Sequence, residues 1–175
     1  MITHRRAGKT TACLMDMLDA ASRIMPPAEP GRFAYIAPLR NQAKTVAWDM
    51  LKAFARPILK GDPNEAELRL DIHGGSRIQL FGADNPDALR GQAFNGVVLD
   101  EYGDMTPKLF GAVVRPALSD RRGYAVIVGT IKGRNHFGCS MSRRWPIHHV
   151  VHGLSASFPN GLDSRASELA DAARR

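Results

Sequence analysis

The sequence predicts an α/β fold, a mainly parallel sheet flanked by helices. Three observations predict it. Residues 33–37, 97–99 and 124–128 are short apolar runs of strand length, without the alternation of a half-exposed strand. Strands buried on both faces read that way. Segments with apolar residues at helical spacing alternate with these runs. Proline and glycine punctuate the joins.

The elements follow in order. Residues 10–24 read as a helix, with Leu14, Met17, Leu18 and Ala21 on one face. Pro26, Pro27 and Pro30 close it and form a loop. The first apolar strand, 33–37, is stopped by Pro38. Residues 41–54 predict a second helix, with Ala43, Val46, Ala47, Met50, Leu51 and Phe54 facing the core. Residues 67–72 and 77–81 flank His73-Gly74-Gly75-Ser76, a hairpin signature. Residues 97–99 form the second buried strand. Residues 109–118 predict a helix interrupted near Pro116, and 124–128 a third buried strand. No clear periodicity runs through 138–160, and a short helix is expected at 164–174.

Composition bounds the function classes. The chain has 175 residues, 44% of them hydrophobic, which fits one domain with a sizeable core and excludes intrinsic disorder. No apolar run reaches the roughly 18–20 residues of a membrane span. The first six residues lack the apolar stretch of a secretory leader. Cys13 and Cys139 form neither a disulfide framework nor a zinc spacing, so reduced thiols and a cytoplasmic location are expected. A net charge of +7 favours an anionic partner such as nucleic acid or nucleotide.

The segment Arg5-Arg6-Ala7-Gly8-Lys9-Thr10-Thr11 opens the first helix. A phosphate-binding (Walker A) loop needs small residues that let backbone N–H groups approach phosphate. It also needs a lysine for the β- and γ-phosphates and a hydroxyl for Mg2+. Gly8, Lys9 and Thr10 supply those parts, although Thr3 stands where the full pattern has its first glycine. A basic tail that happens to contain Gly-Lys-Thr is the alternative. Val97-Val98-Leu99 ends in Asp100 and Glu101. An aspartate at a strand end beside such a loop can hold Mg2+, as in a Walker B motif, and an adjacent glutamate can orient or deprotonate the attacking water. Two solvated turn acids are the alternative there. Val126-Ile127-Val128-Gly129-Thr130 is a further strand ending in a small polar residue. In a parallel sheet it would emerge at the ligand-binding edge. Lys132 and Arg134 follow it, as solvated cations in the plainer reading.

With those segments the chain resembles the ATPase domain of the large terminase subunit of tailed bacteriophages. The resemblance is carried by residues 4–10, 33–38 with Gln42-Ala43-Lys44, 82–91, 97–102 and 129–135, in the family's order and covering roughly residues 3–137. It implies a P-loop NTPase of the additional-strand catalytic-glutamate type, with ATP and Mg2+ as cofactors. Residues Arg6, Ala7, Gly8, Lys9, Thr10, Thr11 and Thr130 would bind nucleotide. Thr10 and Asp100 would hold Mg2+, and Glu101 would be the catalytic glutamate. Arg5 sits where the family has an arginine that senses the γ-phosphate, and Thr130 in the motif that couples hydrolysis to movement. Arg90 matches the position of an arginine finger that acts on a neighbouring subunit, with a structural pairing to Asp84 or Asp87 as the alternative. The implied partners are double-stranded DNA, a portal protein and a small terminase subunit, in a homo-oligomeric ring without membrane attachment. The activity implied is ATP hydrolysis driving DNA packaging into procapsids. A helicase-like DNA-dependent ATPase, or an inactive prophage remnant that only binds DNA or terminase subunits, are the other readings.

The chain departs from the family in three places. Only Met1-Ile2-Thr3 precede His4, where the family has a strand, so the first strand is expected to be missing or incomplete. Ile131 stands where the family commonly has proline. Residues 138–152 do not resemble the family, and faint similarity returns near Leu162 and 168–175. A compensated frame disturbance in a decaying gene would give that pattern. The expected organisation is an ATPase domain over 1–137 and an irregular tail with a short helix over 138–175, without the nuclease domain. His148, His149 and His152 lie near Cys139 in sequence, but without a carboxylate at a zinc-site spacing they read as incidental rather than as metal ligands.

Overall fold

The computed structural model describes residues 8–129 and 149–152. Helix α1 (Lys9–Ser22) leads into strand β1 (Arg32–Ala37). Helices α2 (Arg40–Ala43) and α3 (Asp49–Ala55) are joined by a π-helical turn over Lys44–Trp48. The hairpin β2 (Arg69–Asp71) and β3 (Arg77–Gly82) comes next. Strand β4 (Gly96–Leu99), helix α4 (Arg115–Ser119), strand β5 (Tyr124–Val128) and strand β6 (His149–His152) complete the described chain.

The sheet has six strands in the order β2-β3-β1-β4-β5-β6. Every neighbouring pair is parallel except the β2–β3 hairpin. The mainly parallel sheet expected from the short apolar runs is therefore present. Side chains alternate across it, and both faces are buried. Phe33, Tyr35 and Ala37 of β1 join Leu14, Met17 and Leu18 of α1 and Ala47, Trp48 and Leu51 around α3. Ala34 and Ile36 join Val97, Leu99, Ala125 and Ile127 under Phe110, Val113 and Leu118.

Two helices differ from their expected form, for one reason. The π turn in 44–48 adds a residue to the turn and rotates the apolar face by about one position. Trp48 and Ala55 are thereby buried, whereas Val46, expected in the core, is 42% exposed. Met50 and Phe54 only flank the cluster. Trp48 donates from Nε1 to Glu65 Oε2 at 2.7 Å, which satisfies the indole as it goes under. The second π turn, Phe110–Val114, takes up the interruption expected near Pro116, which sits in the first turn of α4, where its missing N–H costs nothing. Within the tail expected to be irregular, His149–His152 forms β6, paired in parallel with β5. Four residues of one strand are too few to leave a periodic signal. The helix expected at 164–174 lies outside the described residues. Among the described residues, no helix is long and apolar enough to cross a membrane.

The topology creates one functional edge. Strands β1, β4 and β5 all run the same way, so Ala37, Leu99 and Val128 end on one side of the sheet. Asp100 follows directly on β4, and the start of α1 is held beside it by Thr10.

Candidate active site

The N-terminus of α1 is shaped by Gly8. It caps the helix at φ 73°, ψ 19°, in the left-handed region that glycine enters without a Cβ penalty. Its carbonyl accepts from Ala12 N at 2.9 Å. No side chain caps the helix, and no acidic residue lies in its first turn. Among the described residues the first-turn N–H groups and the positive end of the helix dipole are therefore left without a side-chain acceptor, as an anion site requires. Lys9 is half-buried here and has no ion pair among the described residues. Thr11 turns the other way, its hydroxyl 3.9 Å from Met50 Sδ on α3.

Asp100 is the centre of the arrangement. Its side chain is buried, at 7% exposure, so an ionised carboxylate here must be hydrogen-bonded. Three donors do this. Thr10 Oγ1 donates to Oδ2 at 2.8 Å, and the Tyr35 hydroxyl donates to the same oxygen at 2.6 Å. Glu101 N donates to Oδ1 at 2.9 Å. The Asp100 backbone continues the β1–β4 ladder through its N–H to Ile36 O at 2.9 Å.

Burial pushes the Cys13 thiol up to about 12, with the charges of Asp100 and then Asp16 adding to the shift. Tyr35 is pushed up as well, first by burial and then by the charge of Asp100, which keeps its phenol a donor. Cys13 and Tyr35 thus both keep their protons beside the carboxylate.

Glu101 takes φ 51°, ψ 43°, the left-handed conformation that a non-glycine residue adopts at a cost of about 1–3 kcal/mol. It is half-exposed, and its carboxylate has no hydrogen-bond partner among the described residues. Backbone strain of this kind gathers at functional sites.

Arg90 lies apart from these groups, after the 3-10 turn Pro86–Leu89. Its side chain is 66% exposed, and its Nε is 3.3 Å from Asp87 Oδ1. The structural pairing with Asp87 is thus the one formed within the chain. An exposed i,i+3 pair is worth under about 1 kcal/mol and is easily given up. Upstream of it, Gly82 has no room for a side chain, because a Cβ there would collide with the Arg40 backbone and Asp84. Arg5, Arg6, Ala7 and Thr130 lie outside the described residues, as do Lys132, Arg134, Cys139 and His148.

The residues expected from sequence thus sort clearly. Gly8, Lys9, Thr10, Asp100 and Glu101 are brought together, and Arg90 is not. Tyr35 is the residue that the motifs missed. Its signal is that a tyrosine inside an apolar strand needs a partner for its hydroxyl. Among the described residues, no cluster of three or more His, Cys, Asp or Glu side chains could hold a metal. Asp100 with Thr10 fits the other mode of cation binding, in which one carboxylate and a hydroxyl act with phosphate oxygens and water, as Mg2+ prefers. A cleft of about 350 Å³, lined by Arg32, Arg69 and Arg77 among others, lies at the opposite end of the strands and is separate from this site.

Fold and site together have the form of the P-loop class: a mainly parallel sheet with a Gly-Lys-Thr helix start against an acidic strand end. Known proteins of one kind are similar to the chain. The chain is 29% identical to the large terminase subunits of Thermus phage G20c and Thermus virus P23-45, over alignments covering 89% of the chain. It spans about a third of the length of those relatives, 34%. Among solved structures it superposes on the large terminase ATPase domain of Thermus phage P74-26 with a TM-score of 0.68 at 22% identity. That match covers 86% of the chain and 72% of the phage domain. The large terminase of another thermophilic bacteriophage, in complex with ATP-gamma-S, matches with a TM-score of 0.57 at 14% identity, over 95% of the chain and 41% of that protein. No family model matches the chain. The fold is that of phage large-terminase ATPase domains, and the resemblance read from the motifs stands.

Proposed function

We propose that the chain is the ATPase part of a phage or prophage large terminase subunit, which hydrolyses ATP to drive DNA packaging. The single observation that carries this reading is the Thr10–Asp100 contact, which closes the helix start of the phosphate-loop segment onto the acidic strand end. The similarity to terminase large subunits supports it, and one structural relative from a thermophilic bacteriophage was solved with ATP-gamma-S.

In this reading Gly8, Lys9 and the first-turn N–H groups of α1 bind the β- and γ-phosphates, with Arg5, Arg6, Ala7 and Thr130 completing the pocket. Thr10 and Asp100 hold Mg2+, which when bound neutralises charge on the phosphates. Glu101 orients the attacking water and takes its proton. Asp100, fixed by three hydrogen bonds, does not reorganise as charge develops, and that preorganisation is the protein's contribution. Arg90 is exposed on the surface and serves as an arginine finger toward a neighbouring subunit. The ring, the portal protein, the small subunit and double-stranded DNA in the host cytoplasm are the setting in which hydrolysis becomes movement.

Nucleotide titration tests the first step. Wild type is expected to bind ATP in the presence of Mg2+, and Lys9→Ala to bind it at least tenfold more weakly. Equal binding by the two, or none by either, removes the reading.

A further inference from the structure

We propose that Tyr35 is a positioning residue for the cation site, acting through Asp100; this rests on the nucleotide reading above. Its hydroxyl lies 2.6 Å from Asp100 Oδ2, on the oxygen that also accepts from Thr10 at 2.8 Å.

Burying a phenol in an apolar strand costs more than burying a phenylalanine, unless the hydroxyl is bonded. Tyr35 is 1% exposed, and its strand neighbours are apolar. Phenylalanine would fill the same volume, so packing alone does not account for the hydroxyl. What the hydroxyl adds is a second donor on Oδ2. A carboxylate offers about four lone-pair positions. Tyr35 and Thr10 take both on Oδ2, and Glu101 N takes one on Oδ1. The carboxylate is then locked against rotation about its Cβ–Cγ bond. It serves as a fixed acceptor for the Thr10 proton, which leaves the oxygen lone pairs of Thr10 free for a cation.

Without the Tyr35 hydroxyl, Oδ2 keeps only the Thr10 donor of the two described here and the lock is weakened. Thr10 keeps a partner, but that partner now turns. The loss is felt in how well Mg2+ is held with the nucleotide, rather than in how well the phosphates alone are held.

The test separates those two quantities in Tyr35→Phe, which keeps the ring and the core. Binding of a fluorescent ATP analogue is titrated with Mg2+, and separately measured in EDTA. The Mg2+ concentration at half-saturation is expected to rise about tenfold, the low end of what a hydrogen bond to a charged group carries. Affinity in EDTA stays as in wild type, and Asp100→Asn in the same background abolishes the Tyr35 effect. A purely structural role would shift the two affinities together and add to the Asp100→Asn effect.

A wild-type measurement needs no variant to fold. The chain has three tyrosines, so the ring-carbon Cζ resonance of Tyr35 can be assigned. It is expected to move when Mg2+ joins the nucleotide-loaded protein. An unmoved resonance, or an unchanged Mg2+ dependence in folded Tyr35→Phe, overturns the inference and leaves the ATPase reading standing. A wild type that binds no nucleotide at any Mg2+ concentration removes both.

Discussion

Thr10 and Asp100 are ninety positions apart in sequence and 2.8 Å apart in space. Neither element makes the site alone. The start of α1 has uncapped N–H groups among the described residues and a lysine, but no first-turn carboxylate. The end of β4 has two carboxylates but no phosphate donors. The contact between them turns two weak motifs into one site.

Removing that contact tests how much of the chemistry passes through it. Thr10→Val keeps the shape but deletes the donor to Asp100 and the hydroxyl proposed to hold Mg2+. Turnover of ATP is expected to fall about 100-fold, the 2–3 kcal/mol of a hydrogen bond to a charged group. Thr10→Ser restores the hydroxyl and should recover most of the rate. Steady-state phosphate release by the two variants decides it, and equal loss in both would sink the assignment.

Glu101 gives a prediction with opposite signs for stability and activity. Its left-handed backbone suits glycine. Glu101→Gly should raise the free energy of unfolding by about 1 kcal/mol while abolishing turnover. Glu101→Gln should keep nucleotide binding and lower turnover by about 100-fold or more. Thermal unfolding and phosphate release measured on the same samples check both signs. A destabilised Glu101→Gly would show that the backbone there is not strained.

The buried thiol sets an alkaline limit on stability. Cys13 is raised from its ordinary value of 9.0 to about 12 in the fold. Between those values the unfolded chain has lost this proton and the folded chain has kept it. Stability from this group is therefore complete below about pH 9 and declines as pH rises toward 12. Tyr35 and Tyr124 are also raised, mainly by burial, and add to the decline. Urea midpoints of wild type should fall across that window, and Cys13→Ala should show a shallower fall. A parallel fall in the two proteins would remove the thiol from the account. In the folded protein Cys13 should also resist alkylation near pH 8, because the thiolate is the reactive form.

Arg90 should matter only between subunits. Its ion pair with Asp87 is exposed, so Arg90→Ala should change unfolding stability by less than about 0.5 kcal/mol. Turnover in the assembled state should fall by about 1,000-fold, the low end for an arginine finger. Mixing Arg90→Ala with Lys9→Ala should recover part of the activity, because a subunit of each kind can form one complete site. No recovery on mixing, with both variants assembled, would place Arg90 outside the mechanism.

Much of this was legible in the sequence because it is local. The three buried strands, the hairpin around His73-Gly74-Gly75-Ser76 and the α1 face of Leu14, Met17, Leu18 and Ala21 all follow from spacing and turn chemistry. Gly8, Lys9, Thr10, Asp100 and Glu101 could be named as candidates because a phosphate loop and an acidic strand end each have a characteristic local pattern.

Other features depended on packing. The π turns at 44–48 and 110–114 are not encoded by a simple period, and the first of them exchanged Val46 for Trp48 in the core. β6 is four residues long, and only pairing with β5 makes it a strand. Tyr35 reads in sequence as one more core aromatic. Its role appears only when β1 lies beside β4 and brings its hydroxyl onto Asp100.

By itself, then, the sequence determined the element types, the parallel sheet and the residues able to meet phosphate, since all of these rest on short-range spacing and residue chemistry. The tertiary structure decided which of those residues share an atom and which stay apart. The pairing of β1 with β4 brings Tyr35 onto the Asp100 carboxylate, the packing of α1 brings Thr10 to the same oxygen, and Arg90 is left on the surface with Asp87.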